Sequence, residues 1–173
     1  MTMPPTSSGS TSEPFGSDSF GGLPRLLDEI GIRWCVVGAL AAMRYRRTSR
    51  ITDDVDLLVE WDATLLDRLQ EVGWDLTVAA DPGETPHLVR ARREISVDLL
   101  VAQTEYQSHA LDRAPDHWLT IEDVLVHKLI AWRPRDRDDV ADILAGGLAF
   151  DEAYVDHWSA QWDAADRWRE ARA

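Results

Sequence analysis

The feature that most constrains this chain is a pair of aspartates at alternate positions of a short apolar segment. The segment reads Thr52-Asp53-Asp54-Val55-Asp56-Leu57-Leu58-Val59. It predicts a β-strand with Asp54 and Asp56 on one face, because side chains alternate along a strand. A third aspartate, Asp98, interrupts a second strand-like run over residues 95–101. Acids in apolar strands are costly to bury without a positive partner. Three of them in one place therefore predict a site for divalent metal ions, which carboxylates bind readily.

A glycine and a basic loop precede the acidic strand. Gly38 ends the predicted first strand, and a glycine there lets the backbone approach a ligand closely. A helix predicted to begin at Ala39 would offer backbone N–H groups to a phosphate. Junctions of this kind are common, so the signal is weak alone. Here a loop with Arg50 and Thr52 follows and leads into the acidic strand, which is a much narrower combination.

These residues form one ordered set along the chain: Gly38-Ala39, then Arg50-x-Thr52-x-Asp54-Val55-Asp56-Leu57, then Asp98. In this order they resemble the DNA polymerase beta-like nucleotidyltransferase superfamily, over roughly residues 32–144. Within that superfamily the chain is most similar to the bacterial group that includes abortive-infection toxin nucleotidyltransferases. The family usually shows Gly-Gly or Gly-Ser where this chain has Gly38-Ala39.

The resemblance implies a mixed-sheet nucleotidyltransferase core and the transfer of a nucleoside monophosphate from a nucleoside triphosphate (NTP). It also implies two Mg²⁺ ions, with Mn²⁺ as an alternative. Asp54 and Asp56 match the metal-binding pair of the family, and Asp98 matches the third carboxylate, which helps to deprotonate the acceptor hydroxyl. The residues that the resemblance places at the nucleotide are Gly38, Ala39, Arg50 and Thr52.

A second match lies near the C-terminal end of the core. Residues 127–140 resemble the family's lysine-bearing helix and the Asp-x-x-Asp element that follows it. The match places Lys128 at a phosphate, with Asp136 or Asp139 as a supporting acid. Composition also draws attention to Lys128, since the chain has one lysine and 17 arginines. An ammonium can approach one phosphate oxygen as a point charge, whereas a guanidinium is a wider fork. The alternative is an exposed helix cation that happens to be lysine.

Composition restricts the remaining interpretations. A chain of 173 residues allows one domain. Residues 1–22, rich in Ser, Thr, Gly and Pro, are expected to form a disordered leader without the features of a secretory signal. The single cysteine, Cys35, excludes an internal disulfide, and no apolar run approaches the ~20 residues of a membrane span. We therefore expect a cytoplasmic protein.

The charge distribution is uneven. A net charge of −13 argues against a general nucleic-acid coat protein. Arginines nevertheless cluster in residues 44–50 and again in residues 90–93. The first cluster could hold phosphates or cover a solvated loop, and we weigh these equally. The second favours an exposed strand edge, where arginine also limits aggregation.

The periodicity of apolar residues predicts an α+β (α/β-like) domain over residues 23–173, with its core at 32–144. Four to five strands should form a mixed sheet with flanking helices and a helical C-terminal third. The predicted strands span 32–37, 55–60, 74–79, 87–92 and 95–102, the last two joined as a hairpin. The predicted helices span 23–31, 39–46, 63–72, 121–132 and 135–145.

The C-terminal segment predicts one Trp-rich helix over residues 151–171. Its apolar stripe consists of Tyr154, Trp158, Trp162, Ala165 and Trp168. Packing against the domain is the favoured interpretation of this stripe. A dimer seam and a surface that stacks on substrate are the alternatives. Since little else follows residue 144, we expect either this helix or a second copy of the chain to complete the pocket.

The acceptor of the transferred group is left open by the sequence. The toxin-like resemblance implies a tRNA 3′ end or a protein side chain, and a cognate antitoxin as a partner. A small hydroxylated acceptor, as in antibiotic-modifying nucleotidyltransferases, is the enzymatic alternative, and the acidic net charge weakens the RNA case. A non-catalytic module that keeps the fold to bind a nucleotide or a partner is the alternative from another class. A homodimer is compatible with each of these functions.

Overall fold

The computed structural model of this chain describes residues 19–49, 52 and 54–173. Its strands are β1 (Trp34–Val36), β2 (Val55–Val59), β3 (Asp75–Ala79), β4 (Leu88–Arg92) and β5 (Ser96–Val101). They form a five-stranded sheet in the order β1-β2-β5-β4-β3. β2 and β5 run parallel, and the other neighbouring pairs are antiparallel. The mixed sheet predicted from the sequence is confirmed.

The two central strands have one fully buried face and one face that carries the acids. Leu57 of β2 and Leu99 of β5 are register partners and have no exposed surface. Asp56 and Asp98, one position earlier on each strand, are also register partners and are only half-buried. Because side chains alternate, the two acids share the face opposite to the leucines. The parallel register thus places the acids of two distant segments side by side.

Helices cover the sheet. They are α1 (Leu23–Glu29), α2 (Gly38–Met43), α3 (Leu65–Glu71), α4 (Glu105–Asp112), α5 (Ile121–Ala131), α6 (Pro134–Ala145), α7 (Glu152–Gln161) and α8 (Ala165–Ala171). α5 is the centre of the helical layer and packs against α2, α6 and α7, while α2 also packs on β2. In the part of the chain that the structure describes, no helix combines the length and apolar character needed to cross a membrane.

A buried acid fixes the position of α5. Asp123 is fully buried and accepts hydrogen bonds from the hydroxyls of Thr120 at 2.7 Å, Tyr154 at 2.6 Å and Tyr106 at 3.2 Å. The guanidinium of Arg113 adds a fourth donor at 3.3 Å. A buried carboxylate is tolerated when its oxygens are satisfied in this way. The network ties α4, α5 and α7 together, and α5 carries one wall of the site described below.

The predicted strands are all present, with bounds within two residues of those expected. Two other expectations need correction. α4 was not predicted, although Thr104 and Gln107 form a complete capping box at its start. The leader was expected to span residues 1–22, but Ser19–Gly22 form a 3₁₀ turn and Phe20 packs against the core. Residues 1–18 of that leader lie outside the described residues.

The prediction of one C-terminal helix is wrong. α7 ends at Gln161, Asp163 has a positive φ of 52°, and α8 begins at Ala165. The turn redirects the aromatic stripe, so Trp162 is 37% exposed whereas Trp168 is 1% exposed. A left-handed residue cannot continue an α-helix, which is why the regular spacing of the stripe does not correspond to one helix face.

Candidate active site

The acids of β2 and β5 line a cavity of about 430 Å³. Asp56 and Asp98 lie side by side on its sheet wall, and Asp54 joins them from the residues that lead into β2. The cations Lys128, Arg133 and Arg135 line the helical wall, and Arg90 lines the sheet wall. Apolar residues that line the same cavity include Leu100, Leu119 and Val124. The cavity therefore presents carboxylates and cations to the same space.

Gly38 gives Asp56 its place at the cavity. Its φ of +64° lies in the left-handed region, and its backbone runs directly against the Asp56 side chain. A Cβ at this position would overlap Oδ2 of Asp56 and lie 2.9 Å from its Cγ. A glycine is therefore required here both by backbone conformation and by the closeness of a carboxylate.

We expect Gly38→Ala to lower stability and to displace the Asp56 carboxylate. The positive φ alone costs a non-glycine residue about 1–2 kcal/mol, and the overlap with Asp56 adds to this. Urea unfolding measures the first effect, and the nucleotide affinity that the sequence resemblance implies measures the second. Gly73→Ala is the matched control, since Gly73 has a φ of +87° with open space where its Cβ would lie. Equal losses in the two variants, with nucleotide binding intact in both, would contradict the prediction.

The three acids repel one another. Burial raises the pKa of Asp56, and the negative charges of Asp98 and Asp54 raise it further. Lys128 and Arg133 across the cavity oppose this effect without cancelling it. Excess negative charge of this kind, on hard oxygen ligands, attracts divalent cations. The chemical type of these ligands, carboxylate oxygens, is therefore the type that Mg²⁺ prefers.

The arrangement of the acids is only partly ready for a metal ion. Across residues 19–49, 52 and 54–173, no three acidic, histidine or cysteine side chains are gathered as a coordination group. Asp54 and Asp56 pair with no cation among these residues. Asp98 differs, because both its oxygens accept hydrogen bonds from Arg90, each at 2.7 Å. Two of the three carboxylates are thus without a cationic partner among the described residues, and the third is bound to Arg90.

Lys128 sits in a buried ion-pair network. Its Nζ lies 3.0 Å from Oδ1 of Asp136 and 2.7 Å from Oδ2 of Asp139, and both acids are fully buried. Burial alone would raise the pKa of Asp136, but hydrogen bonds from Arg133 and Lys128 outweigh it and hold that pKa below its usual range. The two acids fix the ammonium on the helical wall, with one side toward the cavity.

The same network reaches the residues that precede the acidic strand. Asp139 also pairs with Arg46, whose Nε lies 3.2 Å from Oδ2 of Asp142. Asp142 in turn accepts hydrogen bonds at 3.0 Å from the backbone N–H and the hydroxyl of Thr48. α6 therefore anchors both Lys128 and the chain that leads from α2 toward β2.

The structure brings part of the predicted set together. The predicted residues that line the cavity are Gly38, Asp54, Asp56, Asp98, Lys128 and Asp136. Ala39 is buried beside Gly38, and Asp139 contacts Lys128 from behind. Thr52 accepts a hydrogen bond from the backbone N–H of Asp54 at 3.4 Å, so it orients that residue rather than lining the space. Arg50 lies outside the described residues.

Several cavity residues were not predicted as part of the site. They are Arg90, His127, Arg133 and Arg135. Arg133 and Arg135 flank the Pro134 that begins α6, so a cationic helix start beside Lys128 was a usable signal. The Trp-rich segment was expected to complete the pocket or to leave that to a second copy. Among the described residues the cavity lining ends at Asp136, so that segment does not contribute to it.

Comparisons with known proteins identify the fold. No protein-family model and no curated protein sequence matches the chain. Its structure is similar to the solution structure of the antibiotic-resistance factor ANT(2'')-Ia, with a TM-score of 0.54 at 14% identity, over 86% of this chain and 91% of that one. The same factor in complex with adenylyl-2"-tobramycin gives a TM-score of 0.49 at 13% identity, over 81% and 92%.

An antigenic nucleotidyltransferase-like protein from Paracoccidioides brasiliensis gives a TM-score of 0.44 at 19% identity, over 72% of this chain and 71% of that one. The structural neighbours are thus nucleotidyltransferases, and the first comparison shows the shared fold. The predicted nucleotidyltransferase fold is confirmed.

Proposed function

We propose that this chain is a divalent-metal-dependent nucleotidyltransferase, which transfers a nucleoside monophosphate from an NTP to a hydroxyl acceptor. One observation carries the proposal: Asp54, Asp56 and Asp98, from two segments of the chain, line the same cavity as Lys128. The nucleotidyltransferase fold supports it, since ANT(2'')-Ia shares that fold. The expected metal is Mg²⁺, with Mn²⁺ as a substitute.

In this proposal the two walls of the cavity have different tasks. Asp54 and Asp56 hold the metal, and Asp98 accepts the proton of the acceptor hydroxyl or shares the metal. Bound divalent cations would supply the positive charge that neutralises the triphosphate and favours ionisation of the hydroxyl. The protein's own contribution is mainly to position the reactants and to stabilise charge.

Lys128 and Arg135 serve the phosphates. Lys128 is held in place by its two acids, so it loses little freedom when it meets a phosphate oxygen. Arg135 is exposed at the cavity and forms no ion pair with another residue of the described ranges. An unneutralised guanidinium at the mouth of an acidic cavity suits the outer phosphates of an NTP.

For the acceptor we retain the classes suggested by the sequence resemblance. A toxin-type enzyme of the cytoplasm would modify an RNA 3′ end or a protein hydroxyl and would be restrained by an antitoxin. A small hydroxylated acceptor is the second candidate, and the shared fold with an antibiotic-resistance factor favours it. Binding without turnover is the third, and the contact between Arg90 and Asp98 favours it because it ties up the third carboxylate.

The test is incubation with each of the four NTPs labelled at the α-phosphate, with Mg²⁺ and one acceptor class at a time. Total RNA, cell protein and an aminoglycoside mixture are the three classes. We expect label in one of these fractions only. Transfer should be lost in EDTA and in Asp54→Asn. It should be retained in Asp81→Asn, which removes an exposed acid that does not line the cavity.

Thermal shifts separate binding from turnover. A ligand that binds only the folded state raises the melting temperature according to its occupancy. A Mg²⁺-dependent shift with an NTP but no label in any fraction would favour the non-catalytic module. No shift and no transfer with any NTP would overturn the proposed function.

A further inference from the structure

Arg90 forms a two-pronged ion pair with the third carboxylate of the cavity. Its Nε and Nη2 lie 2.7 Å from Oδ1 and Oδ2 of Asp98. The two residues are register partners on the antiparallel strands β4 and β5, so the backbone places them opposite each other. Both line the cavity beside Asp56. The guanidinium therefore stands among the acids, on the sheet wall.

This pair contributes little to the stability of the fold. The Arg90 side chain is 49% exposed and that of Asp98 is 25% exposed. Solvent screens the attraction between charges at such a position, and exposed ion pairs are weak. The pair has a larger effect on the binding properties of the cavity, because a bidentate guanidinium occupies both oxygens of the Asp98 carboxylate.

A carboxylate held in this way is blocked as a ligand and as a proton acceptor. Its oxygens point at Arg90, and the positive charge of Arg90 repels a second cation brought to the same oxygens. Asp56 and Asp54 have no such partner among the described residues. The cavity thus contains two carboxylates without a cationic partner among the described residues, Asp54 and Asp56, and one carboxylate that is ion-paired, Asp98.

We propose that Arg90 is a competing cation, which holds Asp98 in the metal-free chain and must leave it before Asp98 can bind a metal ion. This inference rests on the proposed function. The half-exposed side chain of Arg90 can move without disturbing the core. Once released it remains at the cavity, where an incoming phosphate offers it a replacement anion. Arg90 is a positioning residue in this scheme, since it acts through Asp98.

The test measures Mn²⁺ binding to the full chain without nucleotide, by electron paramagnetic resonance of the free ion. If Arg90 holds Asp98 about nine-tenths of the time, Arg90→Gln should lower the apparent Kd for Mn²⁺ about tenfold, because affinity scales with the competent fraction. Arg92→Gln is the matched control. Arg92 is an exposed arginine on the same face of β4 that lies outside the cavity, opposite Ser96 of β5 and Asp75 of β3.

Two further variants separate this effect from a change in folding or in net charge. Arg90→Lys keeps the charge but loses the fork, so its apparent Kd should fall between those of the wild type and Arg90→Gln. In an Asp98→Asn background, Arg90→Gln should change the apparent Kd for Mn²⁺ much less than it does in the wild type, because the carboxylate that Arg90 holds is gone. Circular dichroism of each variant verifies that the chain is folded.

The outcomes separate this inference from the proposed function. Tighter Mn²⁺ binding in Arg90→Gln that requires Asp98 supports the role of Arg90. Equal binding in Arg90→Gln and the wild type, abolished by Asp56→Asn, would overturn the role of Arg90 and leave the metal site standing. Absence of any Mn²⁺ binding that depends on Asp56 would overturn both.

Discussion

Replacing Asp56 by asparagine should reduce nucleotide transfer by a factor of the order of 10³, as expected when a charge-stabilising group is lost from a catalytic site. The same change should stabilise the metal-free fold at neutral pH. Burial first, and then the charges of Asp98 and Asp54, hold the pKa of Asp56 above its ordinary value of 3.8. The ionised side chain therefore opposes folding, and asparagine removes that cost.

The sign of the pH dependence follows from the raised pKa. The favourable contribution of Asp56 is present below its unfolded pKa and is lost as the pH rises through its folded pKa. The advantage of Asp56→Asn in urea unfolding with EDTA should be present at about pH 7 and should disappear near pH 3, below the ordinary pKa of aspartate. Loss of transfer together with a gain in stability separates a functional acid from a structural one.

Asp75→Asn is the control for Asp56→Asn. It makes the same chemical change at an exposed acid of β3, outside the cavity. Its transfer rate and its free energy of unfolding should stay close to those of the wild type. If Asp56→Asn destabilises the metal-free chain at pH 7, or turns over like Asp75→Asn, the assignment of Asp56 is wrong.

Local patterns were sufficient to predict the sheet and its acids. Val55, Leu57 and Val59 alternate with Asp56, and this period of two fixes which face the acid takes. The pairing of Asp56 with Asp98 was inferred from the family pattern, and the parallel register of β2 and β5 places them side by side. Short-range signals also predicted α5 and α6, which are separated at Pro134.

The contact between Arg90 and Asp98 depends on a detail that the sequence leaves open. A hairpin was predicted, but its turn length was not, and a shift of one residue turns a side chain to the other face. The observed turn leaves Arg92 opposite Ser96, which brings Arg90 to Asp98. With the turn length known, the pair of Arg92 and Ser96 would have predicted the contact, because the residues two positions further from the turn on each strand are Arg90 and Asp98.

Long-range packing decided the rest. The break between α7 and α8 comes with Asp163 in a left-handed conformation, which spacing alone does not reveal. Lys128 was predicted as a phosphate contact with Asp136 or Asp139 as a supporting acid, and in the structure both acids of α6 pair with it. The family pattern therefore pointed to these acids, whereas the crossing of α5 and α6, which brings both of them to one ammonium, has no direct signal in the sequence.

The partners of Lys128 lead to the second large effect. Lys128→Met should lower the free energy of unfolding by about 3–5 kcal/mol, because it leaves fully buried Asp136 and Asp139 without their shared cation. Arg133 and Arg46 still pair with one acid each, which favours the lower end of that range. Urea unfolding at neutral pH measures the loss.

A role at the phosphates is distinguished from this structural role by nucleotide affinity, measured at a temperature where the variants are folded. Val140→Ala is the matched control, because Val140 is buried on α6 between the acids and the helix end, and its truncation weakens packing without changing charge. Affinity for Mg²⁺ and NTP should fall in Lys128→Met and persist in Val140→Ala. Asp136→Asn added to Lys128→Met should return part of the stability, since one buried charge is removed, while affinity stays low. If that double variant binds NTP as tightly as the wild type, the contribution of Lys128 is structural alone.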